Sequence, residues 1–336
     1  MVTIKDVAKR AGVSIATVSH VINATRFVSE ELKSRVLKAI EELDYHPSTL
    51  ASGLRNKKTS SIGLVIPDNS NPLFAELSRV IEDTMANYRF NVLLCNTAYD
   101  VKREASHLRS LRAKRVDGII IVPTSTDAGA INKLIDSGCP VVVMDRLLTG
   151  IKADAVLIDN FNGMYEATKH LIKLGHKRIG YIDRPFDLPH SRDRFLGYCK
   201  ALKDAGAELD KSLVIRGGFT YDVNLRATQK LLKLKSQPTA IIAFNDVAAI
   251  SAIRAIFDVG LSVPWDISVV GFDDIPQCSV NVPRLTTVHF PKNEMATYAA
   301  EALLKRISGE AKGDYKTIIL PAHLIIREST SECHKE

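Results

Sequence analysis

The chain has 336 residues, and its 45 Lys and Arg against 38 Asp and Glu give a formal net charge of +7. A composition of 46% hydrophobic and 25% charged residues is that of an ordinary globular protein, which excludes disordered, collagen-like and low-complexity classes. More than half of the positive excess lies in the first 60 residues, whose net charge is +4. Such a local basic excess is typical of a segment that contacts a polyanion.

The chain has no apolar run approaching the roughly 18–20 residues that a membrane span requires, and it opens on a polar amphipathic segment rather than an apolar signal core. We therefore expect a cytoplasmic protein. Its five cysteines are odd in number, scattered, and form no Cys-x-x-Cys pair. This spacing predicts free thiols, and neither a disulfide framework nor a metal site.

The N-terminal segment is predicted to form three short helices around one apolar core. Thr3 and Asp6 have the spacing of a capping box at the start of the first helix. Gly12 interrupts the helical pattern as a tight turn requires, and Ser14 can cap the second helix. Ser29 is in position to cap the third helix, whose first turn is acidic.

A helix, a glycine turn and a second helix form a helix-turn-helix, whose second helix presents its N-terminal side chains to the major groove. Serine and threonine hydroxyls can bond phosphates or bases, His20 can donate or accept, and Ile15 and Ala16 can contact a thymine methyl. The outward positions of the predicted second helix are Ser14, Ile15, Ala16, Thr17, Ser19 and His20. By spacing alone, a three-helix bundle without DNA contacts fits equally well.

Beyond residue 61, β-rich runs alternate with helical stretches, a rhythm that predicts parallel α/β sheets with short crossovers. The predicted strands are 62–66, 91–95, 118–122, 141–144, 156–158, 179–182, 240–244 and 267–272. The predicted helices are 74–88, 128–137, 163–174, 194–205, 224–234, 246–259 and 293–307. Because about 275 residues exceed one typical domain, we expect two open α/β lobes.

In order and over nearly the whole chain, the sequence resembles the lactose/galactose repressor family of transcriptional regulators. The residues that carry the resemblance include TIKDVAKRAGVS at 3–14, TVS at 17–19, VIN at 21–23, IEELDY at 40–45, LASGLR at 50–55, IGLVIP at 62–67, VDGI at 116–119, LGHKRI at 174–179, VGFDD at 270–274 and LTTV at 285–288. Within the family, the headpiece is most similar to that of the purine repressor. A related operator half-site is therefore expected.

The resemblance implies a small all-α helix-turn-helix headpiece, joined by a hinge helix to a two-lobed α/β core like that of periplasmic binding proteins. The expected division is a headpiece at 1–46, a hinge helix and linker at 47–60, a core at 61–330 with lobe crossovers near 160 and 290, and a tail at 331–336. The implied function is that of a DNA-binding transcriptional regulator, a repressor, acting as a homodimer on pseudo-palindromic operator DNA. A small-molecule effector in the core would modulate its operator affinity.

The resemblance also assigns expected DNA contacts. Leu54 stands where family members wedge a leucine into the minor groove, and Ala51 where the paired hinge helices pack. Ile15, Ala16 and His20 occupy the main base-reading positions. The predicted DNA-binding residues are Thr3, Ser14, Ile15, Ala16, Thr17, Ser19, His20, Asn23, Ala51 and Leu54.

The effector is expected in the cleft between the lobes, because ligands of open α/β sheets bind beyond the carboxyl ends of the strands. Side chains just after predicted strands are the candidates, together with Arg194, which is expected to open the helix after the strand at 179–182. The predicted effector-binding residues are Asn71, Phe74, Asp145, Arg146, Arg194, Phe219, Asn245 and Asp273. Arg194 and Asp273 could instead form a structural ion pair, and Asp246 is expected to be a helix N-cap.

The effector's identity stays open at this point. A sugar or sugar derivative is the most frequent effector class in the family. The headpiece suggests a purine or nucleoside, but the residues of the core do not match that ligand class. Five basic residues would suit a phosphorylated sugar or an acid, or form a solvated rim: Arg184, His190, Arg192, Arg194 and Lys292. A phosphoprotein corepressor is a further alternative within the family.

Two other protein classes are weighed against this interpretation. An enzyme is disfavoured because the sequence has no phosphate-binding loop, no nucleophile elbow, no zinc-protease motif and no dinucleotide fingerprint. A soluble transport-type binding protein would lack the helix-turn-helix and would carry an export signal. We expect no metal and no cofactor other than the effector.

Overall fold

The computed structural model describes residues 2–23, 26–45, 59–184 and 189–334. The chain divides into two compact units, Met1–Thr59 and Ser60–Glu336. Ala51 and Leu54, together with the rest of the expected hinge helix, lie outside the described residues, as does the side chain of Asn23.

The first unit is a bundle of three helices, α1 (Ile4–Ala11), α2 (Ile15–Asn23) and α3 (Glu30–Glu42). The Asp6 carboxylate accepts hydrogen bonds from both the backbone N–H (2.9 Å) and the hydroxyl (2.7 Å) of Thr3. Ser14 Oγ accepts from the Thr17 N–H at 3.1 Å, which confirms the predicted cap. Ser29 occupies the N-cap position of α3, but its hydroxyl makes no capping bond, so that prediction is wrong. The bundle's buried core is Val7, Ala8, Ala11, Val18, Val36 and Ala39.

Two lobes make up the second unit, and each is built on a six-stranded sheet within the described residues. The first lobe contains β1 (Ser61–Ile66), α4 (Pro72–Asn87), β2 (Asn91–Asn96), α5 (Val101–Ala113), β3 (Gly118–Ile121), α6 (Gly129–Asp136), β4 (Val141–Met144), β5 (Asp154–Ile158), α12 (Lys292–Ser308) and β11 (Thr317–Leu320). Its strand order is β11-β5-β4-β3-β1-β2, and all the pairings are parallel.

The second lobe contains α7 (Asn160–Lys173), β6 (Ile179–Asp183), α8 (Pro189–Asp204), a 3-10 turn (Lys211–Leu213), β7 (Val214–Arg216), α9 (Tyr221–Leu232), β8 (Ala240–Ala243), α10 (Asp246–Asp258), β9 (Ser268–Asp273), α11 (Gln277–Val280), β10 (Thr286–His289) and β12 (His323–Ile325). Its strand order is β12-β10-β9-β8-β6-β7, with β12 alone antiparallel to its neighbour.

The chain passes between the lobes after β5 and after β10, near the two predicted positions, and again between β11 and β12. The sequence did not indicate this third crossing, and the predicted elements did not include β7, β10, β11, β12, α5 or α11. β11 has four residues, of which three are exposed, and β12 has three, so both are shorter than most of the strands that the sequence predicted.

Buried apolar runs hold each sheet between helices, as expected for parallel strands covered on both faces. Ile62, Leu64 and Ile66 on β1 are fully buried, and α4 packs Leu77 and Ile81 in the same core cluster. Among the described residues no helix is long and apolar enough to cross a membrane. The same part of the chain has no His, Cys, Asp and Glu grouping that could hold a metal ion.

Candidate effector site and nucleic-acid interface

A narrow cavity lies between the two lobes at the carboxyl ends of their strands. Its lining residues are Asn71, Leu73, Phe74, Tyr99, Asp145, Arg146, Arg184, Arg194, Phe219, Phe244, Asn245 and Asp273. The structure thus brings all the residues predicted for the effector site to one cavity. Both lobes contribute side chains, so one small molecule could bridge them.

Two of the lining amides begin helices. Asn71 Oδ1 accepts the Leu73 N–H at 3.0 Å at the start of α4, and Asn245 Oδ1 accepts the Ala248 N–H at 2.9 Å at the start of α10. These bonds place each amide group at the wall of the cavity, where strand gives way to helix.

Arg194 and Asp273 form a buried ion pair on the second lobe, with 3.4 Å between Arg194 Nη2 and Asp273 Oδ1. The guanidinium also donates from Nε to Asn160 Oδ1 (2.7 Å) and from Nη1 to the Phe244 carbonyl (2.5 Å), and it lies 3.5 Å from the Phe272 ring centroid. Burial raises the pKa of Asp273. The ion pair therefore exists and lines the cavity at the same time. Arg194 lies inside α8, which begins at Pro189, so the expectation that it opens the helix is wrong.

Asp145 and Arg146 come directly after β4 on the first lobe. Arg146 is only 1% exposed, and its Nη1 donates to the Pro123 carbonyl at 2.5 Å. Its Nε lies 3.5 Å from Asp145 Oδ2. Its Nη2 has no hydrogen-bond partner among the described residues. This pair is consequently less completely satisfied than the Arg194 pair.

Tyr99 and Arg184 line the cavity but were absent from the predicted effector set. Tyr99 stacks on Phe219 with ring centroids 3.6 Å apart and planes 10° apart, and the Arg184 guanidinium lies 4.9 Å from the Phe219 centroid. Burial, and next the charge of Arg146, lower the pKa of Arg184 to about 9. Both residues follow strands, β2 and β6, so the strand-end rule could have found them. The aromatic–guanidinium cluster itself forms only in the fold.

The five basic residues proposed for the cleft do not all lie at the cavity. Arg184 and Arg194 line the cavity, and Lys292 Nζ lies beside it, 3.4 Å from the Asp273 carbonyl oxygen. Arg192 is exposed on α8. The side chain of His190 is not among those that the structure describes.

Asp246 is not the N-cap of α10, a position that Asn245 takes. The Asp246 carboxylate is fully buried and accepts the Thr287 hydroxyl at 2.5 Å and the Ile275 N–H at 2.9 Å. Burial raises its pKa to about 6. These bonds hold the backbone just after β9 and the Thr287 side chain of β10 against the start of α10. Asp246 is not among the residues that line the cavity.

The backbone at the cavity is strained at three lining residues, where φ is 59° at Tyr99, 63° at Asp145 and 114° at Asp273. Residues other than glycine adopt such left-handed conformations at a cost that the surrounding structure must offset. Strain of this kind concentrates at binding sites, where it aims side chains that a relaxed strand end would direct elsewhere.

The headpiece presents the predicted recognition side chains on one surface of α2. Ser14, Ile15 and Ala16 are exposed, while Val18 of the same helix is fully buried in the bundle. Thr17, Ser19 and His20 are half-buried, and Thr3 is exposed at the start of α1. Ile15 is 45% accessible, so its side chain is available for contact with a thymine methyl.

Comparison with known proteins places both units in one family. Residues 3–48 match the model for bacterial regulatory proteins of the lacI family, and residues 168–330 match that for a periplasmic binding protein-like domain. The HTH-type transcriptional repressor PurR of Haemophilus influenzae (strain PittEE) is 40% identical over 334 residues, which cover 98% of each chain.

Solved structures agree. The lac repressor dimer bound to operator and the anti-inducer ONPF is similar with a TM-score of 0.86 and 27% identity over 98% of this chain and 99% of that one. A complex of the transcriptional regulator CelR with cellobiose has a TM-score of 0.72 and 32% identity over 98% of this chain and all of that one. A helix-turn-helix headpiece, a two-lobed core and matches along nearly the full length converge on one conclusion: the chain belongs to the LacI family of bacterial transcriptional regulators.

Proposed function

We propose that this regulator is a cytoplasmic repressor that binds a pseudo-palindromic operator as a homodimer and needs no cofactor. A small molecule in the interlobe cavity sets its operator affinity. The observation that carries the proposal is the pairing of an exposed recognition helix with a cavity lined from both lobes. One headpiece reads a half-site, so two-fold pairing is needed to read a palindrome.

The coupling between cavity and operator follows from where the cavity side chains are attached. Asp145 and Arg146 belong to the first lobe, and Arg194 and Asp273 belong to the second. A ligand that bonds to both pairs favours one arrangement of the lobes over others, by as much as its affinities for them differ. The lobe arrangement would then govern the linker at 47–60 and, through it, how the two headpieces meet DNA.

The predicted residues make different kinds of contact with DNA. Basic residues of the first unit supply phosphate contacts, which set affinity and salt dependence. Ile15, Ala16 and His20 read base edges in the major groove, and Leu54 wedges into the minor groove. Ser14, Thr17, Ser19, Thr3 and Asn23 position the helix on the backbone, and Ala51 packs the paired hinge helices.

We assign effector sensing to the cavity rather than to a phosphoprotein partner because the strained backbone and buried charged groups concentrate there. Carboxylate, amide and guanidinium groups beside aromatic rings suit a polyol, whose hydroxyls both donate and accept. A sugar or sugar derivative is therefore our first class of effector, with purines and nucleosides as the second.

Two measurements test the proposal. Selection of bound duplexes from a random DNA pool should yield an inverted repeat that binds two chains, and an unsymmetrical or random pool would contradict it. A thermal-shift screen of sugars, sugar phosphates, nucleobases and nucleosides should then find a stabilising ligand. That ligand must change operator affinity, and the operator must change ligand affinity by the same factor. A ligand that binds without this reciprocal effect is not the effector.

A further inference from the structure

Glu104 is a buried carboxylate that the sequence patterns did not single out, and only 2% of the residue is exposed. It lies in the first turn of α5, in the first lobe. Its two carboxylate oxygens accept the backbone N–H groups of Thr124 and Ser125, the second of them at 3.3 Å. Hydrogen bonds to an ionised group are roughly twice as strong as those between neutral groups. Glu104 therefore clamps the turn that follows β3 to the start of α5.

The clamped turn carries the acceptor that holds Arg146 at the cavity. Arg146 Nη1 donates to the carbonyl oxygen of Pro123, the residue just before Thr124. Arg146 lines the cavity, whereas Glu104 is not among the lining residues. A shift of the turn would move the Pro123 carbonyl, and the guanidinium bonded to it would move as well. Glu104 thus acts on the cavity wall through a backbone carbonyl.

Charge connects the same two side chains. Burial lowers the pKa of Arg146, and the influence of Asp145, Tyr99 and Glu104, in that order, opposes this shift. Burial raises the pKa of Glu104, and its two backbone donors and then the charge of Arg146 oppose that shift. Each group therefore favours the charged form of the other. Glu104 shares with Asp145 the compensation of a guanidinium that is only 1% exposed.

A second connection runs from the clamped turn to Tyr99. The hydroxyls of Thr124 and Thr97 are both buried and lie 2.7 Å apart, so they share a hydrogen bond. Thr97 begins the turn after β2, and its carbonyl accepts the Asp100 N–H at 3.0 Å. The two residues between them, Ala98 and Tyr99, have φ values of 50° and 59°. Such left-handed residues persist only where the surrounding structure fixes them. Here Thr124 fixes one end of the turn, and the start of α5 fixes the other.

We propose that Glu104 is a positioning residue of the effector site. Its carboxylate fixes the turn at 123–125 directly and the turn at 97–100 through Thr124. It thereby sets the positions of the Arg146 guanidinium and the Tyr99 ring. This inference rests on the proposed function, because it concerns the same cavity. Glu104 acts through these residues and not by contact with the effector, so effector affinity should depend on it and operator recognition should not.

Hydrogen–deuterium exchange, followed by mass spectrometry of the full-length chain, tests the clamp. Glu104→Gln keeps the shape of the side chain but removes its charge and one of its two acceptor oxygens. We expect the amides of 97–100 and 123–125 to exchange about tenfold faster or more, and those of the strands to stay unchanged. Asp154→Asn is the matched control. Asp154 is also buried in the first lobe and accepts a backbone N–H, that of Lys316 at 2.7 Å, but it is not among the residues that line the cavity. This control should leave both turns unchanged.

Two further variants keep the exchange test decisive. Thr124→Val removes only the hydroxyl, so faster exchange should be confined to 97–100, and unchanged exchange there would overturn the connection to Tyr99. If Glu104→Gln does not fold, Glu104→Asp, which keeps the charge on a shorter side chain, should show a smaller rise at the same two turns. In the folded Glu104 variant, exchange that rises evenly over the first lobe, or that stays unchanged at both turns, would overturn the proposal.

Ligand binding, measured in parallel, separates this inference from the proposed function. Unfolding temperatures are recorded with ribose, glucose, adenine and adenosine. A compound that stabilises the original chain should bind Glu104→Gln about tenfold more weakly or worse and bind Asp154→Asn as before, and both variants should keep the ligand-free operator affinity. Equal affinity in Glu104→Gln would overturn the positioning role and leave effector control intact. Stabilisation by none of the four compounds would count against the proposed effector classes, and the exchange pattern would still decide whether Glu104 holds the two turns.

Discussion

Tyr99 and Phe219 stack face to face across the interlobe cavity, with ring centroids 3.6 Å apart and planes 10° apart. Tyr99 follows β2 in the first lobe, and Phe219 follows β7 in the second. The pair therefore joins the two lobes at the place where a ligand would bind, and the separation of the rings reports how closed the lobes are.

A double-mutant cycle on this stack measures the energy that it contributes to lobe closure. Tyr99→Leu and Phe219→Leu should each lower the free energy of unfolding in urea, with a coupling energy of about 0.5–1.5 kcal/mol. The control pair is Phe161 and Tyr165, whose centroids lie 6.4 Å apart on one helix, α7. Additive effects of the two cavity substitutions would show that the rings do not interact in solution.

Asp273→Asn should impair the effector response and spare operator binding. The amide keeps the shape of the side chain, but it cannot carry the negative charge that pairs with Arg194, and it replaces one of the two acceptor oxygens by an NH2 donor. We expect the effector-dependent change in operator affinity to fall at least tenfold, or about 1.4 kcal/mol. Fluorescence anisotropy with a labelled operator measures it, and Asp83→Asn, at an exposed carboxylate, is the control. A normal response would exclude Asp273 from the site.

Asp274 should make the core sensitive to acid. Burial by itself would raise its pKa, but hydrogen bonds from His289 Nδ1 (2.8 Å) and Arg327 Nη2 (2.7 Å) outweigh burial and lower the pKa to about 2. A depressed carboxyl pKa stabilises the folded state above the unfolded pKa, near 3.8, and this contribution is lost as pH falls towards 2.

Asp274→Asn should therefore lower the free energy of unfolding at pH 7 by about 1–3 kcal/mol. The difference from the original chain should shrink between about pH 4 and pH 2. Urea titrations at several pH values measure it. A difference that stays constant down to pH 2 would contradict the assignment of the acid-sensitive stability to this carboxylate.

Gly197→Ala should destabilise the second lobe because α7 and α8 approach too closely for a side chain. A Cβ at position 197 would lie 2.3 Å from the Phe161 carbonyl oxygen, a backbone atom that cannot move without shifting the helix. We expect a loss of about 1–3 kcal/mol. Gly129→Ala is the control, since its nearest neighbour is the Asp127 side chain at 3.1 Å. Equal urea midpoints for the two variants would show that the helices can separate at little cost.

Leu54→Ala should weaken specific operator binding about tenfold or more and leave effector binding unchanged, because the wedge contributes only when DNA is bent around it. Anisotropy on the selected operator and on an unrelated duplex separates specific from non-specific affinity. Leu37→Ala, at a leucine 51% exposed on α3, tests whether losing any exposed leucine of the first unit has the same effect. Unchanged operator affinity in Leu54→Ala would exclude the wedge.

By itself, the sequence determined the class of protein, the alternation of strands and helices in the core, and most of the residues that line the cavity. Helical spacing and a glycine turn located the headpiece, because a 3.6-residue period needs no tertiary information. Apolar runs located the long strands, and the rule that ligands meet parallel sheets at their carboxyl ends led to Asp145 and Asp273. Each of these signals is local, so it can be read along the chain.

Only the tertiary structure decided what depends on distance between residues far apart in sequence. It stacked Tyr99 on Phe219, placed Arg184 over both rings, and left Arg146 with an unused nitrogen. It also showed that Asp246 is a buried hydrogen-bond acceptor for Ile275 and Thr287 and not the expected helix cap. The cavity has one wall on each lobe, so its ring stacking and its ion pairs depend on which side chains the two lobes bring together. No local pattern in the sequence encodes that. The net charge of +7 pointed to DNA, while the meeting of three buried arginines from both lobes in one cavity became visible only in the fold.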